Sequence, residues 1–125
     1  MRVLLDTHLV LWWFYETARL PAVALKNIKT ADEVFVSSAT IWEIAIKARI
    51  GKISADPRKI VEQMGANDFQ ELPVYNRHTV LVAGLPMHHA DPFDRLLVAQ
   101  AMSEPLHLLT VDTQLKPYSD LVVCV

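Results

Sequence analysis

Uniformly apolar runs alternate with stretches of helical spacing along this chain. Val3–Leu5 is one such run and predicts a buried first strand that ends at Asp6. Glu33–Val36 predicts a second strand of the same kind, and Phe69–Val74, His107–Val111 and Leu121–Val125 predict three more. Between them, helices are expected over His8–Tyr15, from Pro21 to about Lys29, from Ser37 or Ser38 to about Ile50, over Pro57–Asn67 and over Asn76–Leu85. Asp91-Pro92-Phe93-Asp94 opens the most clearly marked helix, which runs to about Ser103. On the third helix, Ile41, Ile44, Ala45 and Ala48 follow the spacing of a core-facing stripe, and Gly51 supplies a stop. Short apolar strands alternating with helices imply an α/β fold, a central parallel sheet with helices on both faces.

Composition bounds this picture without redirecting it. At 125 residues, 52% of them hydrophobic, the chain fits one domain over residues 1–125 with a substantial core. Its net charge of −2 excludes a global basic field, so nucleic-acid chemistry would have to come from a local arrangement. The lone Cys124 rules out an intrachain disulfide, suits a reducing cytoplasm, and is expected as a small buried hydrophobe on the last strand. Asp6 and His8 interrupt the apolar N-terminal region, which argues against a leader, and no run approaches the roughly 20 apolar residues of a membrane span. A soluble, cytoplasmic protein is expected.

In parallel sheets functional groups gather beyond the carboxyl ends of the strands, and Asp6 and Asp112 each directly follow a predicted strand. Each acid also has a local explanation. Asp6 and Asp112 suit the caps of the elements that follow them, and Glu43 suits a surface pair with Lys47 four residues on. Asp91 suits an N-cap, and Asp94 favours the positive end of its helix dipole. Taken together, acids on strand ends and converging helices describe a carboxylate pocket without matching cations, which asks for a hard divalent ion such as Mg²⁺ or Mn²⁺. His88-His89 would suggest zinc only if both rings turned the same way. They are expected in a loop, with His89 available to substrate. Lys47, Arg49 and Arg95 are secondary candidates for phosphate contacts, set against ordinary solvated positions.

The segments LLDTHLVLWW at 4–13, VSSATIWEIAIKARIGK at 36–52, LPMHHADPFDRLLVAQA at 85–101 and LLTVD at 108–112 together resemble the PIN-domain family, in particular its VapC-like toxins. The resemblance implies a three-layer α/β/α sandwich and Mg²⁺- or Mn²⁺-dependent hydrolysis of RNA, the toxin activity of a toxin–antitoxin pair. It places the catalytic and metal-binding acids at Asp6, Glu43, Asp94 and Asp112, with supporting hydroxyls at Ser37 and Thr110. It further implies a homodimer and a cognate antitoxin. Trp12, Trp13 and Phe14 stand as either interface or monomer core. Where some family members carry a further acid, this chain has Leu115, which leaves one metal ion or two open. A catalytically inactive PIN module remains a rival. A phosphoacceptor receiver domain fits less well, because Asp6 lacks an acidic neighbour and Asp112 stands where that fold needs Lys. A haloacid-dehalogenase-type phosphatase would want an acid at His8.

Overall fold

The computed structural model describes all of residues 1–125. Strands β1 (Arg2–Leu5), β2 (Glu33–Ser37), β3 (Phe69–Leu72), β4 (His107–Thr110) and β5 (Val122–Cys124) form one sheet in the order β3-β2-β1-β4-β5. Every neighbouring pair is parallel. Six helices connect them: α1 (Thr7–Tyr15), α2 (Ala22–Thr30), α3 (Ser38–Arg49), α4 (Pro57–Met64), α5 (Asn76–Val82) and α6 (Pro92–Ser103).

Side-chain alternation sorts the strand residues into two cores. Val3, Leu5, Val34, Val36 and Leu109 point to the layer carrying α1, α2, α3 and α4, where they meet Leu9, Ile28, Ile44 and Ile60. Leu4, Phe35, Leu108 and Val122 point the other way and pack with Leu97, Val98 and Ala101 of α6. The result is the expected three-layer sandwich. A one-residue slip of β1 would exchange Leu4 with Leu5 across the sheet, so both cores fix its register.

Element limits differ from the sequence reading where hydrogen bonding intervenes. β3 stops at Leu72 because Pro73 has no N–H for the ladder. The Pro57–Asn67 helix is α-helical only to Met64, and Gly65–Asn67 tightens into a 3₁₀ turn. α5 likewise ends at Val82, and the amides of Ala83, Gly84 and Leu85 continue as i→i−3 bonds. Gly51, at φ +77°, occupies the left-handed conformation that turns the chain after α3. Cys124 is exposed, contrary to expectation: it shares a face with the buried Val122 but is the last residue of the edge strand β5.

Arg95 also departs from both of its anticipated roles. It is only 7% exposed, and its Nη2 donates to the carbonyls of Val82 at 3.1 Å and Leu85 at 3.2 Å, while Nη1 meets the Met87 sulfur. The guanidinium therefore clamps the α5–α6 connection to α6 and is neither a solvated cation nor a phosphate contact. Arg95→Ala should leave carbonyl oxygens without donors and lower the unfolding free energy by roughly 1–3 kcal/mol. Urea denaturation measures this. An unchanged midpoint would show that the clamp is dispensable.

Candidate active site

The sheet order reverses between β1 and β4, so a crevice opens beyond their carboxyl ends. Asp6 lies in it as the N-cap of α1, with Oδ1 accepting from the Leu9 amide at 2.8 Å. Oδ2 accepts from the Thr110 hydroxyl at 2.7 Å and the Val111 amide at 3.0 Å, which joins β1 to the end of β4. The Thr110 hydroxyl in turn accepts the Asp112 amide at 3.0 Å. Burial raises the Asp6 pKa above the usual carboxylate value, against the opposing pull of these hydrogen bonds.

Glu43 enters from α3. Its side chain is 6% exposed, because the buried stripe of α3 runs through Ala39, Thr40, Glu43 and Ile44. Oε1 accepts from the Thr7 hydroxyl at 2.7 Å, and Oε2 pairs with Lys47 Nζ at 2.7 Å. The expected i,i+4 ion pair thus exists, but it reaches into the crevice instead of lying on the surface. Hydrogen bonding to Glu43 and its negative charge raise the Lys47 pKa, and the charges of Asp91 and Asp94 add to the effect.

The third wall is the start of α6. Asp91 caps it by accepting from the amides of Phe93 at 2.8 Å and Asp94 at 3.0 Å. His89 accepts the Asp91 amide through Nδ1 at 3.0 Å, which assigns the ring hydrogen to Nε2. That nitrogen donates to Asp112 Oδ2 at 2.7 Å and lies 3.7 Å from Asp94 Oδ2. Asp112 Oδ1 meanwhile caps the 3₁₀ turn Thr113–Tyr118 through the Gln114 amide. His88 turns away and packs edge-on against Tyr118 at 5.0 Å, so the two histidines do not act as a pair.

Asp94 receives no hydrogen bond at its carboxylate in this network. Burial raises its pKa most, repulsion from Asp91 and Glu43 adds to it, and the result is a value of about 7. Ligand atoms of His89, Asp94 and Asp112 lie within 4.8 Å of one another. With its hydrogen held on Nε2, His89 donates and does not ligate, so the available donors are oxygens. An oxygen set with surplus negative charge fits a hard divalent cation.

The sequence-predicted acids Asp6, Glu43, Asp94 and Asp112 thus come together around one crevice. Asp6 and Glu43 already engage neutral donors or Lys47, whereas Asp94 is the least satisfied. Ser37 holds no acid: its hydroxyl caps α3 through the Ala39 amide at 3.0 Å. The hydroxyl beside Glu43 belongs to Thr7, a role that sequence reasoning missed although Thr7 directly follows Asp6. The His89–Asp112 pair was also missed, because the two are separated by 23 positions and nothing local links them. Arg49 is exposed at the end of α3. Trp13 and Phe14 both pack on Phe69 within the chain, at 5.2 and 5.9 Å.

Residues 3–121 match the family model described as the PIN domain. Ribonuclease VapC22 of Mycobacterium tuberculosis is 31% identical over 118 residues, covering 93% of this chain and 91% of that protein. Among solved structures, VapBC2 from Rickettsia felis, bound to a DNA fragment from their promoter, is similar at a TM-score of 0.69 and 14% identity, covering 100% of this chain and 98% of that one. FitAcB from Neisseria gonorrhoeae is similar at 0.66 and 16% identity, with 98% and 96% covered. The acid-lined switch point, the sheet order and these likenesses agree, and the chain belongs to the PIN-domain family, with a VapC-like ribonuclease among its relatives.

Proposed function

We propose that this protein is a Mg²⁺- or Mn²⁺-dependent endoribonuclease that hydrolyses RNA phosphodiesters, acting in the cytoplasm as the toxin of a toxin–antitoxin pair. The undercompensated carboxylate cluster around Asp94 carries the proposal, and the similarity to Ribonuclease VapC22 supports the RNA substrate. Asp6 and Asp94 are assigned as direct oxygen ligands. Glu43 and Asp112 act through water or orient the attacking nucleophile. A divalent cation, when bound, offsets charge developing on the phosphate and makes water a better nucleophile. Thr7 and Lys47 hold the Glu43 carboxylate in place for a proton on that water, and His89 holds Asp112.

The likeness to VapBC2 and FitAcB supports a cognate antitoxin that covers the crevice. A homodimer is supported by the exposed apolar side chains of Trp42, Ile46 and Ile50, spaced four apart along α3 and at its end. No helix is long and apolar enough to cross a membrane.

Purified protein freed of antitoxin should cleave single-stranded RNA with Mg²⁺ or Mn²⁺ and stop in EDTA. Full activity in EDTA, or activity restored by Zn²⁺ alone, would reject the carboxylate–metal reading. RNA binding without turnover under any of these conditions would indicate an inactive module.

Glu43→Gln should retain the fold by circular dichroism and reduce turnover roughly 10²-fold or more, the scale of a lost acid–base or electrostatic group. Near-wild-type turnover would reduce Glu43 to an ion-pair partner of Lys47.

Asp94 gives a pH dependence of fixed sign. Its pKa is raised on folding, so its contribution to stability is fully present below about pH 4 and is lost as pH rises through about 7. In EDTA, wild type should therefore melt at a lower temperature at pH 7.5 than at pH 5, and Asp94→Asn should lessen that difference. The variant should also lose most of the stabilisation by Mg²⁺, which for wild type at tenfold Kd is about 1.4 kcal/mol. An equal drop in EDTA and Mg²⁺ would mean that Asp94 serves only the helix dipole.

A further inference from the structure

A cavity of about 390 Å³ adjoins Thr7 and Lys47, the two residues that hold Glu43. We infer that this recess seats one unpaired nucleotide of the RNA strand, the neighbour of the scissile phosphodiester. The inference rests on the ribonuclease reading for its substrate class, but the recess makes its own case from charge and shape.

The charge is local and reversed. The whole chain carries −2, yet Arg19, Lys47 and Lys52 all line this one recess. Arg19 is paired with Glu16 at 3.0 Å and Lys47 with Glu43 at 2.7 Å, which leaves Lys52 as the lining cation without an acid partner. Lysine and arginine side chains position a phosphate backbone without reading sequence. Flat groups stand among them. The Arg19 guanidinium lies over the Trp12 ring at 4.9 Å, and the His8 ring sits 5.8 Å from the same indole. Aromatic and guanidinium planes between backbone-tracking cations are the means by which single strands are held, because every base has a face to stack. A base inside a duplex has both faces covered by its stacked neighbours. The volume also lies within the range of small-ligand pockets.

The recess is built into the fold. Tyr15 Oη accepts the Asp56 amide at 2.9 Å, which fixes the end of α1 against the segment after α3. The left-handed Gly51 turns that segment, and the Lys52 amide bonds back to the Lys47 carbonyl at 2.9 Å. Lys47 is shared by the recess and the acid crevice, so a strand whose phosphate reaches the carboxylates passes directly into the cavity.

The test is equilibrium binding of a fluorescein-labelled, short single-stranded RNA to the full chain in EDTA, followed by fluorescence anisotropy. Trp12→Ala should weaken binding roughly tenfold, and Trp12→Phe should recover most of the loss. Lys52→Ala changes an exposed side chain and should lower the slope of log K against log salt by about 0.7. Melting curves check that each variant is folded. Wild-type affinity in both Trp12→Ala and Lys52→Ala overturns the inference. So does equal binding of duplex RNA, or a loss confined to antitoxin affinity, which would assign the recess to a protein segment. Cleavage assays with Mg²⁺ separate the two readings. If wild type cuts RNA and both variants bind and cut normally, the recess fails and the ribonuclease stands. If binding depends on Trp12 and Lys52 but nothing is cut, the ribonuclease reading fails and the RNA seat stands.

Discussion

The Asp6 carboxylate bridges the point on which the rest of the molecule depends. It receives the α1 amide on one oxygen and the end of β4 on the other, at the place where the sheet order reverses. Those two strands are distant in sequence and adjacent in space. Their junction aligns the starts of α1 and the Thr113–Tyr118 turn on one rim. An apolar residue at position 6 would leave buried donors from Thr110 and Val111 without an acceptor, a heavier loss than the bonds themselves contribute. The same burial that makes this bridge strong also makes its charge costly, which is why the Asp6 pKa is raised.

Helix capping and acid clustering are one arrangement here. Asp6, Asp91 and Asp112 each satisfy backbone amides at the start of a helix or 3₁₀ turn. All three of those N-terminal ends face the same crevice, and each contributes positive partial charge to it. Lys47 is the one side-chain cation drawn into the group, and His89 adds a hydrogen-bond donor. Together they offset part of the carboxylate repulsion, and Asp94 carries what is left as a pKa near 7.

Much of this was legible in the sequence because the strands are buried on both faces and so read as unbroken apolar runs. Val3–Leu5 and His107–Val111 located the two acids that follow them. The Asp-Pro pair at 91 and 92 located α6. Glu43 was harder. The stripe Ile41, Ile44, Ala45 and Ala48 is a valid helical face, but α3 is rotated by about one residue position from it, roughly 100°. Ile41, Ala45 and Ala48 are half-buried, whereas Thr40 and Glu43 are inside. Periodicity counts apolar atoms and cannot register a polar pair, Thr7 with Glu43, that is satisfied across two elements. The same limit hid the Arg95 clamp, whose partners are backbone carbonyls without any side-chain signature, and the His89–Asp112 bond. Cys124 was misjudged because an apolar composition does not distinguish an edge strand from a central one.

An acid that caps a helix is not free to swing away. Turning Asp91 or Asp112 outward would release amides that hold the first turn of α6 or the Thr113–Tyr118 turn. Ordinary surface carboxylates relieve crowding by changing rotamer, and these can do so only by unwinding their own element. The capping acids are therefore held in place whether or not a cation is bound, and little of their conformational entropy remains to be lost on binding. The pocket's internal tension is borne as a modest reduction of global stability, so the protein can be both ready to bind and easier to unfold.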